Sequence, residues 1–259
     1  MRPNNIFQLE LASVFATPRS ILIRLGYAYV LGLPFALISM PIRVRVIGIV
    51  LLVLFTSFYG ASTTIVARKS DGILARLGLL PIHKTALYGD ILLSGSVVDF
   101  LQAGVVIVLL LIVNGSGING RLIIVVAGSF LISVLLLNIL GMFLGAISKN
   151  SQEVHITGSL GLAVIGFFSG IYPVPGRLEG IITVTSFLSP LRWLALSLEW
   201  SMAGGERTGV KDWHLILSVV LLIALIVLVL ARALEIHRRS SRSSLPEHAS
   251  APANKVSAD

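Results

Sequence analysis

The chain contains no cysteine and little charge. Among its 259 residues, 12% are Asp, Glu, Lys or Arg, against about 25% in an ordinary soluble domain. The absence of cysteine excludes a disulfide scaffold and a cysteine-ligated zinc site. The shortage of charge, with a mean hydropathy of +0.93, excludes a typical soluble domain and a disordered chain. Aromatic residues are also few, at 7%. What is abundant is apolar material, 55% of the chain. That composition is expected of an all-α polytopic membrane protein.

Signatures of chemistry are missing too. No Gly-x-x-x-x-Gly-Lys followed by Ser or Thr occurs, so the chain carries no P-loop for ATP. No His-Glu-x-x-His occurs, and His83, His155, His214, His237 and His248 are scattered without metal-ligand spacing. No serine nucleophile motif is present; Gly166 to Gly170 has its serine one place late. The expectation is no catalytic constellation, no metal and no cofactor in this chain.

A helix crossing a bilayer needs about 20 apolar residues. Six stretches qualify: Ile21 to Met40, Val46 to Ala67, within Thr85 to Val113, within Arg121 to Ile147, Val154 to Tyr172, and Trp213 to Ala231. The opening residues carry Pro3, Glu10 and Pro18, and the first run is long enough to span, so it reads as a retained helix rather than a signal peptide. Six spans put both termini on one side. Of the 20 Lys and Arg, 13 then fall on the side of the termini and 7 on the other. The positive-inside rule makes the terminal side cytoplasmic, although Arg43 and Arg45 in the first outer loop run against it. The net charge of +8 thereby becomes a topology signal rather than a sign of nucleic-acid binding.

Residues 1–20 form the first region. Phe7, Leu11, Val14 and Phe15 share one helical face and predict an amphipathic helix in the inner interface. Residues 21–235 form the six-span domain. Residues 236–259, rich in Ser, Ala, Pro and Arg, are expected to be a disordered cytoplasmic tail with Arg238, Arg239 and Arg242 near anionic headgroups. Glycine pairs such as Gly141 and Gly145 are expected to pack helices within the subunit.

Three polar features stand out. Asp99 and Gln102 lie within the third span, with Asp90 nearer its inner end. A carboxylate at the bilayer centre costs roughly 2.5–3.5 kcal/mol and should face protein or water. Asp99 and Gln102 are therefore candidates for a translocation path or a proton-coupled site, or else a structural interhelical hydrogen bond. Between spans two and three, Ile73, Leu74, Leu77 and Leu80 predict a short amphipathic helix, with Asp71 as N-cap, Arg76 facing away and Pro81 ending it. It either docks a partner or lies on lipid. After span five, Pro173, Pro175, Gly176 and then Ser189-Pro190 mark turns around a segment of Arg177 to Leu188 too short to span. That predicts a re-entrant or interfacial hairpin on the outer side, with Trp193 and Trp200 at an interfacial belt.

In order and spacing, these features resemble the permease subunit of an ABC-2 type exporter over about residues 20 to 234. The resemblance is carried by Gly72-Ile73-Leu74-Ala75-Arg76-Leu77 with Pro81, by Ser169-Gly170-Ile171-Tyr172-Pro173, and by Ser189-Pro190-Leu191 with Trp193. Two departures stand out. Ala67, Arg68 and Lys69 occupy the stretch where the family often has a glutamate, and Ser189 replaces an asparagine. The resemblance implies a transport subunit without enzymatic activity of its own, in the cell (inner) membrane. It implies a second permease subunit, as homodimer or heterodimer, and separate ATP-binding subunits that hold ATP and Mg. Asp71, Gly72, Ile73, Leu74, Arg76, Leu77 and Pro81 would then form a coupling helix against the ATPase. Ser169, Gly170, Pro173, Pro175, Ser189 and Pro190 would belong to the outer hairpin. The alternative is an integral membrane enzyme or secondary transporter that uses Asp99.

Overall fold

The computed structural model describes residues 6–15, 18–77, 84–113, 120–172, 179–187 and 189–203. Helices hold 91% of them, and no described residue is in a strand. The order is α1 (Ile6–Phe15), α2 (Pro18–Leu37), α3 (Ile42–Leu54), a π-helical turn (Phe55–Tyr59), α4 (Gly60–Ser70), α5 (Ile73–Leu77), α6 (Lys84–Val113), α7 (Gly120–Ile147), α8 (Ser151–Phe168), α9 (Glu179–Phe187) and α10 (Pro190–Met202). The proposed sixth span, the tail, Pro81, Pro173 and Pro175 lie outside the described residues.

Among the described residues three helices are long and apolar enough to cross a bilayer, Ile42–Ser70, Leu87–Val113 and Ile123–Ile147, or four if the bent pair Gly180–Phe187 and Pro190–Met202 counts as one span. The first joins α3, the π turn and α4 into one 29-residue rod, about 43 Å at helical rise. Its most apolar stretch is 61% buried, against 44% and 33% for the other two. It is therefore the axis of the bundle, and α2, α6, α7, α8 and α10 pack around it.

Glycine sets the closeness of that packing. A Cβ added at Gly145 would stand 2.6 Å from the Ser62 carbonyl oxygen, and one at Gly141 would run into the Phe58 carbonyl. Only glycine lets α7 lie against the backbone of the rod. On the opposite flank, Cβ atoms at Gly158 and Gly161 would press on the rings of Tyr59 and Phe58. These contacts also give direction. The rod and α7 run parallel, and α8 runs antiparallel to them.

The two ends of the bundle are distinguishable by their hydrogen bonds. At one end Lys69 Nζ donates to the carbonyls of Ala146 (3.2 Å) and Ser148 (2.9 Å), tying α4 to the last turn of α7. Asn150 then caps α8 by accepting from Glu153 N (2.8 Å), while Glu153 accepts from Lys149 N (2.7 Å). In the half of the bundle towards Gly120, α9 and α10 bend by 89°. Ser133 Oγ donates to the Pro190 carbonyl at 2.9 Å, and Ser129 and Ser197 share a hydrogen bond of 2.8 Å. Pro190 therefore stands opposite a point about 20 Å along α7 from Gly120 at helical rise, and α10 returns from there towards the Gly120 end.

The local chemistry departs from expectation at several points. The first long helix starts at Pro18, not Ile21, because proline suits the first helical turn. The helix at the start of the chain is α1, which packs on α6 and α2; Phe7 and Leu11 are half-buried, but Phe15 is exposed. Asp71 does not cap α5. It is the C-cap of α4, and Gly72 follows at φ +69°. Arg76 N donates to the Gly72 carbonyl (3.1 Å), so Gly72 opens the short helix. A left-handed residue after a helix end favours glycine strongly. Gly170, at φ +66°, closes α8 in the same way after its C-cap Ser169.

Candidate functional site

At the middle of the three spanning helices lies a cavity of about 220 Å³. Thr56 is the midpoint of Ile42–Ser70, Asp99 stands next to the midpoint of Leu87–Val113, and Asn138 lies within one turn of the midpoint of Ile123–Ile147. All three line the cavity, with Tyr27, Thr63, Thr64, Arg68, Ser94, Gly95 and Gln102.

Asp99 is 8% exposed and Asn138 is 2% exposed. Asn138 Nδ2 donates to Asp99 Oδ2 at 2.7 Å and to Ser96 Oγ at 3.3 Å. This bond ties α6 to α7 and holds the carboxylate with an oxygen as acceptor. Gln102 lies one turn beyond Asp99 and is buried. Asp90, on the same helix, is half-buried and does not line the cavity.

The hydroxyls give the walls a definite polarity. Thr56 donates to Val53 O (3.2 Å), Thr63 to Tyr59 O and Gly60 O (both 3.0 Å), and Ser94 to Ile91 O (3.0 Å). A hydroxyl that spends its proton on its own helix keeps its lone pairs for other partners. These walls present acceptors, and Arg68 supplies donors at the Lys69 end of the lining.

The rod is irregular at this depth. The π turn at Phe55–Tyr59 interrupts the α-helical ladder beside Thr56, and such turns recur at functional sites. Ser57 Oγ inside it is buried without a hydrogen-bond partner among the described residues. Tyr59, at its end, stacks on Phe55 and hydrogen-bonds His155 on α8, whose other ring nitrogen meets Ser151 Oγ at 3.2 Å.

Beyond the cavity the two sequence-predicted accessory features lie in opposite halves of the bundle. At the Lys69 end, Leu74 and Leu77 of α5 turn inward and pack on Ile65, Leu87 and Ile91. Ile65 and Ile91 also line the cavity. Ile73, 39% exposed, and exposed Arg76 and Asp71 form the outward flank. The expected apolar face of Ile73, Leu74 and Leu77 is therefore divided: two leucines serve the bundle and one isoleucine faces out. In the other half Arg192 Nη1 donates to Gly170 O (2.9 Å) and Trp193 Nε1 to Phe187 O (3.1 Å), fastening α10 to the end of α8 and to α9. Ser169 and Gly170 sit in that contact, and Ser189 and Pro190 form the bend.

Asp99 and Gln102 are brought together in the cavity, as their one-turn spacing suggests. Asn138 was not anticipated from sequence, nor were Thr56, Thr63 and Thr64 as walls. The available signals were a single Asn in the apolar run around Leu137 and the clustering of Ser62, Thr63 and Thr64 at one end of a span. Among the described residues no group of three or more His, Cys, Asp or Glu could hold a metal ion. Compared with known proteins, the chain matches no family model, no curated protein and no solved structure at a significant level.

Proposed function

We propose that the chain is the permease subunit of an ATP-dependent exporter of the ABC-2 type. In this reading it crosses the cell (inner) membrane six times, with α2, the Ile42–Ser70 rod, α6, α7 and α8 as five spans and Trp213 to Ala231 as the sixth. Both termini and the Lys69 end face the cytoplasm. A second permease subunit pairs with it, and ATP-binding subunits carry ATP and Mg.

The observation that carries the reading is the placement of two accessory elements on one bundle. A short helix, α5, sits between two spans at the Lys69 end with Ile73 and Arg76 outward. A bent helix pair, α9 and α10, lies in the opposite half, with α10 running from mid-length of α7 towards Gly120. An ATPase groove would take Ile73, with Arg76 on its polar rim. Movement of α5 would reach the spans through Leu74 and Leu77, which rest on Ile65 and Ile91 at the cavity wall.

The test is co-purification with an ATP-binding subunit and measurement of ATPase activity in proteoliposomes. Ile73→Asp with Arg76→Glu should abolish the permease-dependent part of that activity and leave membrane insertion intact. A double variant that retains coupling and transport would sink the assignment of α5.

The cavity favours a second reading, a secondary transporter or membrane enzyme that works through Asp99. It predicts activity in vesicles without any ATPase and complete loss in Asp99→Asn. In the exporter, Asp99→Asn alters assembly or substrate selection and leaves ATP hydrolysis by the partner.

A further inference from the structure

We propose that the mid-span cavity is an aqueous vestibule, entered from the Lys69 end and closed beyond Asp99. It admits water and small solutes that donate hydrogen bonds, such as an ammonium group. The inference goes beyond the exporter reading and stands whether or not an ATPase partner exists.

The extent of the cavity comes first. Along the rod its lining runs from Thr56 to Arg68, and along α6 from Gln102 to Ile91. Both stretches correspond to about 17 Å of helical rise. The lining therefore reaches from mid-span to the last turn of α4, next to Lys69. It does not extend the other way. Beyond Thr56 the same helices are filled by Ile49, Val53, Val106, Leu110 and Phe130, all buried in one apolar cluster.

Chemistry decides what fills it. Apolar cavities of this size stay dry, whereas polar ones with several partners per water are hydrated. Here Asp99, Gln102, Asn138 and four or more hydroxyls line about 220 Å³, room for several waters at about 30 Å³ each. Thr56, Thr63 and Ser94 have given their protons to backbone carbonyls, so these walls accept around Asp99, while the Arg68 guanidinium supplies donors at the Lys69 end of the lining. A solute rich in N–H or O–H groups fits the Asp99 end of that surface better than a sulfonate or phosphate.

The missing cysteine makes the test clean, because any introduced thiol is the only one in the chain. A Cβ added at Gly95 meets nothing within 4 Å, so Gly95→Cys places a thiol in open space; Thr64→Cys is the second cavity variant. Leu93→Cys is the control on the outward face of α6, where Leu93 is 51% exposed. Lys149→Cys and Arg43→Cys mark the two ends. The full-length protein in sealed vesicles of known orientation is treated with membrane-impermeant methanethiosulfonates, one bearing an ammonium and one a sulfonate. Monodisperse elution and complete labelling after denaturation show that each variant is folded and present.

Gly95→Cys and Thr64→Cys are expected to react only from the side that modifies Lys149→Cys, and Leu93→Cys from neither. Normalised to Lys149→Cys, the ammonium reagent should outpace the sulfonate at Gly95→Cys, one turn from Asp99, by about tenfold or more. Folded cavity variants that are no faster than Leu93→Cys mean a dry cavity and overturn the proposal. Reaction from the Arg43 side overturns the direction of entry. An equal or inverted charge preference overturns the assigned solute class.

Discussion

The two halves of this bundle use the same helices differently. Towards Arg192, Ile49, Val53, Val106, Leu110 and Phe130 interlock, and α10 lays Leu191, Leu194 and Leu198 on them. Towards Lys69 the Ile42–Ser70 rod, α6 and α7 enclose a polar cavity, and the close contact is made by glycine and backbone, Gly145 against the Ser62 carbonyl. The contrast teaches that apolar composition alone does not make a filled interior. Between helices in a membrane, packing depends on which side chains meet. Above Thr56 branched residues fill the space between the rod, α6 and α7; below it hydroxyls, Asp99 and Asn138 line the cavity between the same helices. The π turn lies at the border.

Four substitutions sharpen or break that comparison. Leu110→Ala, in the filled half, is expected to cost most, about 2–5 kcal/mol, through the void it leaves. Thermal unfolding of the purified protein in detergent reads it. Gly145→Ala should follow at about 1–3 kcal/mol, since the added methyl meets backbone that cannot rotate away. A neutral result there would mean that α4 and α7 separate freely. Asn138→Leu should cost about 1–2 kcal/mol in the same assay, by leaving the buried Asp99 carboxylate without its 2.7 Å donor. Thr63→Val should be smallest, under about 0.5 kcal/mol, because its hydroxyl only back-bonds within its own helix. If Thr63→Val costs as much as Leu110→Ala, the distinction between filled and hollow halves is wrong.

Much of the architecture was legible because hydrophobicity and helix punctuation are local. The apolar runs located the helices from Ile42 to Ile147 to within a few residues, and Pro190 marked the start of α10. The short helix after α4 was visible in Ile73, Leu74 and Leu77, but its division into inward and outward residues was not, since that depends on where Ile65, Leu87 and Ile91 stand. Asp71 and Gly72 exchanged roles for a similar reason. A capping rule favours Asp as an N-cap, whereas the chain first had to end α4, and the left-handed turn after that end suits Gly72.

The candidate site was legible only as Asp99 and Gln102, two polar residues out of place in an apolar span. Their cost in lipid is a property of each residue and can be read anywhere in the chain. That Asn138 answers Asp99, that Thr56 and Thr63 turn toward the same space, and that this space continues to Arg68 are facts about helices far apart in sequence. Sequence by itself determined that the chain is helical, apolar and free of a P-loop and of thiol chemistry, because composition and local periodicity suffice for those. Tertiary structure alone decided which faces meet, because the side chains of one helix have no preferred partner until another backbone, brought close by glycine, supplies it.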